Sequence, residues 1–308
     1  MSSTVIRSPL ERRGDGPLTD LPRWDERRSI RRRVRRRLRG SGTFLLATVW
    51  LLVVLIPLYY MLLATLRNQG TYLTANPWVP TGHLSLGSYN SVFAAGLGRY
   101  LINSAIVTVV TLILLLVFCL GAAFRVMRRA TPASRNYMKL VVIGLAVPIQ
   151  AIIVPVYLVV IKLGLYDSVT EAGVILVLCA TAVPLSVLIT VSFIRDIPAE
   201  LYDAMSVDGG SEWTLFRNLV WPLSRPVLAT LAIYDGLNCW NNFLVPLVLT
   251  TSPNHALLPL GITKFQTQYA YNVPVIMAAV WISMLPLLVL FIGMRRQVIR
   301  SLGGIALR

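Results

Sequence analysis

Asp235 is the single acid inside the long apolar runs of this 308-residue chain, and Asn238, Trp240, Asn241 and Asn242 follow close behind it. A carboxylate at bilayer depth normally faces a cavity or a partner group. An indole face suits the apolar side of a sugar ring, and carboxamides suit its hydroxyls. The five residues could therefore line a polar pathway. They could also serve as hydrogen-bond glue between helices, or mark a misplaced helix boundary. Other chemistries find little material. His83 and His255 lie far apart in expected loops, and Cys119, Cys179 and Cys239 each sit in an apolar run with no C-x-x-C pair. No metal site or catalytic pair is expected, and the cysteines read as small buried hydrophobes rather than a disulfide.

A second constellation spans residues 195–226. Pro198 suits the first turn of a helix, with Asp196 and Glu200 near its positive end. Leu201, Ala204 and Met205 share one face at 3,4 spacing. Gly209-Gly210 breaks the helix where a positive φ is needed, Ser211 can cap a second helix, and Trp213, Phe216 and Val220 share a face of it. Pro222 and Pro226 are expected to end that helix. Five acids against three arginines in this stretch argue against a DNA-binding helix-turn-helix, which needs positive charge toward phosphates. A membrane-surface helix should also be basic. What remains is a docking knob for a groove on a soluble partner.

The elements that hold these residues are apolar runs. The chain is 56% hydrophobic and 14% charged, with mean hydropathy +0.67, against the roughly 25% charged residues usual in soluble domains. The runs are Phe44–Leu66, Leu101–Phe124, Met138–Ile161, Gly173–Ile194, Pro226–Leu249 and Val273–Met294. As helices they would each be ~33–36 Å long, enough to span a bilayer with some tilt. A transmembrane barrel would show segments of about ten alternating residues, and that pattern is missing. The expectation is an all-α integral membrane protein with six transmembrane helices over 44–294, carrying a cytoplasmic helix-turn-helix coupling loop at 195–225. Pro57, Pro148, Pro155, Pro184 and Pro286 should kink the spans.

Residues 1–43 hold thirteen arginines and read as a basic, largely disordered extension. A secretory signal would have a shorter apolar region and a small-residue cleavage site, so a retained anchor is expected. With the N-terminus inside, the inner segments carry twenty-four basic residues, and the outer loops carry only Arg67, Arg99, Lys162 and Lys264. This asymmetry places both termini, including the tail 295–308, in the cytoplasm. It accounts for the net charge of +16 without nucleic acid.

The pattern Pro198-x-Glu-Leu-x-Asp-Ala-Met-x-x-Asp-Gly with Phe216 and Trp-Pro-Leu-x-x-Pro226 resembles the EAA coupling loop of bacterial ABC importer permeases. The nearest branch is the carbohydrate one typified by the smaller maltose-type permease. Leu163-Gly-Leu-Tyr-Asp-Ser, Trp240-Asn-Asn-Phe-Leu-Val-Pro246, Leu257-Leu-Pro-Leu-Gly261 and the tail from Arg296 add to the likeness, which covers about residues 44–308. It implies that Glu200, Asp203, Ala204, Met205, Asp208, Gly209, Phe216, Pro222 and Pro226 form the ATPase-coupling loop. Asp203, Ala204 and Met205 stand at the family's Glu-Ala-Ala, departing from it at two positions.

The resemblance further implies a permease subunit of the bacterial cell membrane, importing a sugar or oligosaccharide delivered by an extracellular solute-binding protein. It implies a second homologous permease and an ATPase dimer. The chain has no G-x-x-x-x-G-K-[ST] phosphate loop, so ATP and Mg are expected on the partner and no cofactor on this chain. The alternatives are an importer of glycerol phosphate, an amino acid or a peptide, a secondary transporter, or a membrane scaffold.

Overall fold

The computed structural model describes residues 24–80, 84–129, 131–167, 171–268 and 272–305, and all regular structure among them is helical. The chain divides into two compact units, residues 1–59 and 60–308.

The first unit holds most of α1 (Trp24–Thr65). Residues 1–23 lie outside the described residues, whereas 24–43, expected to lack order, belong to this helix. Arginine is a good helix former, and the apolar run supplies a helix to propagate from. Phe44, Leu46 and Trp50 are exposed, as fits a surface that meets lipid.

The second unit continues with α2 (Gln69–Thr74), α3 (Gly87–Ala94), α4 (Leu97–Arg128), α5 (Pro132–Ala146), α6 (Ile149–Lys162) and α7 (Ala172–Arg195). After α7 come α8 (Ala199–Val207), α9 (Glu212–Leu215), a π-helical turn (Phe216–Val220) and α10 (Trp221–Trp240). The chain then forms α11 (Leu244–Leu249), a 3-10 turn (Pro253–His255), α12 (Leu258–Gln268) and α13 (Val273–Ile305).

Among the described residues, four helices are long and apolar enough to cross a membrane: Thr43–Thr65, Leu97–Arg128, Ala172–Arg195 and Val273–Gly293. The bent pair α5 and α6 makes five when counted as one span. Two expected spans are not single helices. Met138–Ile161 falls across α5 and α6, which meet at 112°. Val147, the residue before Pro148, is extended (φ −92°, ψ 108°), the conformation a residue before proline prefers. Pro226–Leu249 is interrupted at 241–243, where the Asn242 side chain accepts the Val245 N–H (3.0 Å) and starts α11. By contrast Pro57, Pro155, Pro184 and Pro286 stay inside helices.

α4 is the central strut, packing along α7 and α10, while α10 also packs along α13. One core cluster joins Leu97 and Tyr100 of α4 to Trp240, Leu258 and Ala279. Another joins Val107 to Leu178, Cys239 and Leu249. A third, toward the Arg128 end of α4, joins Leu120 and Ala123 to Val187, Ile194, Val220 and Leu228. Close approach uses small residues, as expected where helices associate by packing in lipid. A Cβ at Gly236 would lie 3.3 Å from Leu112, and one at Gly173 would lie 2.6 Å from the Leu165 carbonyl oxygen.

Two sequence motifs are structural ties. Asp167, in Leu163-Gly-Leu-Tyr-Asp-Ser, accepts the N–H groups of Thr251 and Ser252 (3.1 Å each) through Oδ1. Gly261 of Leu257-Leu-Pro-Leu-Gly261 lies against the Tyr100 ring, which a Cβ there would meet at 2.2 Å.

Candidate functional site

The stretch 195–226 folds into two short helices around a tight bend. α8 starts at Pro198, with Glu200 in its first turn, and buries no residue completely. It ends where Gly209 adopts φ +76°. The Gly209 N–H donates to the Ser206 carbonyl (3.1 Å) and the Gly210 N–H to the Met205 carbonyl (2.9 Å), the paired bonds of a Schellman ending. The two glycines are needed for different reasons. Gly209 supplies the left-handed backbone, and a Cβ on Gly210 would stand 2.6 Å from the Met205 oxygen. Ser211 then caps α9, its hydroxyl accepting the Thr214 N–H (3.2 Å).

The bend has an outer and an inner side. Leu201, Asp203, Ala204 and Asp208 are exposed, Val207 is 87% exposed and Trp213 66%. Met205 and Tyr202 are half-buried, and Leu215, Leu219 and Val220 are buried. Trp213 stacks on Phe216 at 5.5 Å between ring centres, and Phe216 meets Phe124 of α4 edge-on at 5.4 Å. Arg128, at the end of α4, pairs with Glu212 (3.6 Å) and lies 5.6 Å over the Tyr202 ring. The half-exposed ion pair is worth at most about 1 kcal/mol, so the aromatic contacts are the main fastening. Burial pushes the Tyr202 phenol above its ordinary range, and Arg128 pulls partly back.

Pro222 and Pro226 do not end the second helix as the sequence predicts. From Glu212 to Trp240 the chain is helical throughout. A proline ring clashes with the carbonyl four residues before it. Here the preceding turn widens, with the Trp221 N–H donating to the Phe216 carbonyl five residues back. The wide turn accommodates Pro222, and Pro226 sits inside α10. The bend is therefore mounted on one continuous rod that reaches the polar residues at its far end.

Those five residues do not share one surface. Asp235 is 2% exposed, and its Oδ2 accepts the Ser186 Oγ–H of α7 at 2.8 Å. Trp240 is buried, its indole N–H donating to the Ser283 carbonyl of α13 (3.2 Å). Asn242 is half-buried and caps α11. Asn238 and Asn241 are exposed, and their amide nitrogens donate back to the Tyr234 and Leu237 carbonyls (3.0 and 2.9 Å). Tyr234 is exposed too. With helical periodicity, Tyr234 and Asn238 of α10 and Asn241 at its C-cap share one exposed face with Leu237, and the three polar groups form a stripe along it.

Three functional candidates escaped sequence reading. Arg128 carries no signal beyond its charge at the end of an apolar run. Ser186 sits in an apolar run like any small residue, and Tyr234 precedes the acid that draws attention. No group of three or more His, Cys, Asp or Glu residues that could hold a metal occurs among the described residues.

The chain is similar to proteins already known. Residues 118–303 match the family described as binding-protein-dependent transport system inner membrane component. A protein of Caldicellulosiruptor sp. (strain Rt8B.4) named as an ABC transporter permease is 34% identical over 259 residues, covering 84% of this chain and 94% of that protein. The diacetylchitobiose uptake system permease protein NgcG of Streptomyces coelicolor is 28% identical, covering 84% of this chain and 85% of the relative. In three dimensions, a bacterial ABC transporter involved in the import of the acidic polysaccharide alginate contains a chain of the same fold. The TM-score is 0.73 at 17% identity, with 84% of this chain and 96% of that one covered.

Proposed function

Because this chain belongs to the family of binding-protein-dependent transport system inner membrane components, we propose that it is a permease subunit of an ATP-driven importer for a sugar or oligosaccharide. The carbohydrate class is supported by NgcG, which is named for diacetylchitobiose uptake. In this reading the chain catalyses no reaction and binds no cofactor. ATP and Mg belong to a separate ATPase dimer, and a second homologous permease and an extracellular solute-binding protein complete the assembly. The chain crosses the bacterial cell membrane six times, through α1, α4, the bent pair α5–α6, α7, the interrupted α10–α11, and α13. The coupling bend and both termini, with the extension 1–43 and the tail 295–308, lie in the cytoplasm. The excess of basic residues in the inner segments supports that orientation.

The observation that carries the proposal is the bend between α8 and α9. It offers Leu201, Val207 and Trp213 outward, flanked by Glu200, Asp203 and Asp208, while Leu215, Phe216 and Val220 fix it to the helical body. An apolar tip with an acidic rim suits a groove on a soluble motor. Closure of the ATPases would displace the tip and, through the rod to Trp240, rock the helices between inward- and outward-facing states. We assign the pathway to the stripe Tyr234, Asn238 and Asn241, whose phenol and carboxamides can exchange bonds with hydroxyls. Asp235 and Trp240 hold helices together behind it.

The test is sugar-stimulated ATP hydrolysis by the reconstituted complex carrying Gly209→Pro. Proline cannot adopt φ +76° and lacks the N–H that bonds Ser206, so the bend is lost. Stimulation should disappear while the complex still assembles. Wild-type coupling in an assembled Gly209→Pro complex would sink the proposal.

A further inference from the structure

The α5 helix carries two basic residues that its own electrostatics do not explain. Arg135 and Lys139 lie one turn apart on this 15-residue helix, and Arg135 closes its first turn, where the macrodipole favours negative charge. Neither forms an ion pair among the described residues, and neither does Arg125 or Arg129 at the adjoining end of α4. The ion-paired acid nearby, Glu212, is held by Arg128. Arg125, Arg129, Arg135 and Lys139 are thus four cations without an ion pair among the described residues.

The charges border a groove. A cavity of about 620 Å³ is lined by Arg135 and Lys139 together with Val126, Met138, Val142 and Ile143. Met138, Val142 and Ile143 continue the face of Arg135 and Lys139 at 3,4 spacing, so the basic groups stand at one end and the apolar floor runs on along α5. Charge that serves only to orient a helix in the bilayer needs no cavity beneath it. A soluble anion would find use for the cations but none for the apolar floor. We propose that this groove is a binding site for an anionic phospholipid, with its phosphodiester at Arg135 and Lys139 and an acyl chain along Val142 and Ile143. Cationic pockets between helices at the headgroup level have this chemistry. Arg128 of α4, two positions beyond the groove's Val126, pairs with Glu212 of the bend, so the site lies at the same end as the docking tip.

The experiment uses the assembled importer complex, stripped of lipid and then titrated with phosphatidylglycerol or phosphatidylcholine, with retained lipid counted by native mass spectrometry. Wild-type protein should retain phosphatidylglycerol over phosphatidylcholine by a factor on the order of tenfold. Arg135→Gln with Lys139→Gln should abolish that preference, and Arg135→Lys should keep it. Val142→Trp, which fills the apolar floor without altering charge, should also lower retention. No preference in the wild type, which needs no variant to fold, would overturn the proposal. So would full retention in the double variant, retention unaffected by Val142→Trp, displacement of the lipid by inorganic phosphate, or loss of the ATPase subunits in place of the lipid.

Discussion

Ser186 Oγ donates a hydrogen bond to Asp235 Oδ2 across 2.8 Å, joining α7 to α10 in the buried interior of the bundle. Asp235→Ala removes the acceptor and leaves a buried hydroxyl without it, at a cost of about 1–3 kcal/mol. Asp235→Asn retains an oxygen for the same donor. Thermal unfolding of the assembled complex should show a clear loss for alanine and a small one for asparagine, with the apparent KM for sugar unchanged in both. A double-mutant cycle with Ser186→Ala should give a coupling of ~0.6 kcal/mol. A raised KM with intact stability would return Asp235 to the pathway.

The opposite behaviour is expected of Asn238 and Asn241. Both are exposed, and among the described residues their amides bond only carbonyls of α10, one turn back. Alanine at either position should change stability by no more than about 0.5 kcal/mol. Uptake of labelled sugar into proteoliposomes should nevertheless fall, most in the double variant. Undiminished uptake would remove the stripe from the pathway.

The two glycines of the α8–α9 bend should separate in their effects. Gly209→Ala meets open space but is strained by φ +76°, a cost on the order of 1 kcal/mol. Gly210→Ala has an ordinary φ but places a methyl 2.6 Å from the Met205 carbonyl, so the last turn of α8 must shift. ATP hydrolysis measured with and without sugar should show weaker stimulation for both, and more so for Gly210→Ala.

Gly261→Ala drives a methyl into the Tyr100 ring. Overpacking of this kind costs roughly 1–3 kcal/mol. Tyr100→Leu in the same chain should relieve part of it, which a thermal denaturation series would measure.

What could be read in advance divides along a physical line. The bend from Pro198 to Ser211 was legible because its causes are local: a proline start, a glycine pair and a serine cap act within a few residues. The apolar runs were legible because hydropathy over some 20 residues is a strong signal. The interruptions were not. Pro155, Pro184 and Pro286 remain in helices while Pro148 coincides with a 112° bend, and a proline's ring is the same in all four. Whether the freed carbonyls find partners depends on neighbours the chain supplies from elsewhere. The site divides likewise. Ser186 and Asp235 are 49 positions apart, so no spacing rule joins them. Asn238 and Trp240 differ by two residues and hence by more than half a turn, which puts one outside and the other inside.

The π turn at Phe216–Val220 sets the phase of everything beyond it. Removing one residue there would let the backbone relax to ordinary winding and swivel Trp221–Trp240 by about 100°. Asp235 would lose Ser186 and the carboxamides would face a different neighbour, although no residue near the solute had been altered. The extra residue thus acts as a shim: under the proposed function, the docking tip and the carboxamides at 238 and 241 are cut on one shaft, and neither can be re-timed alone.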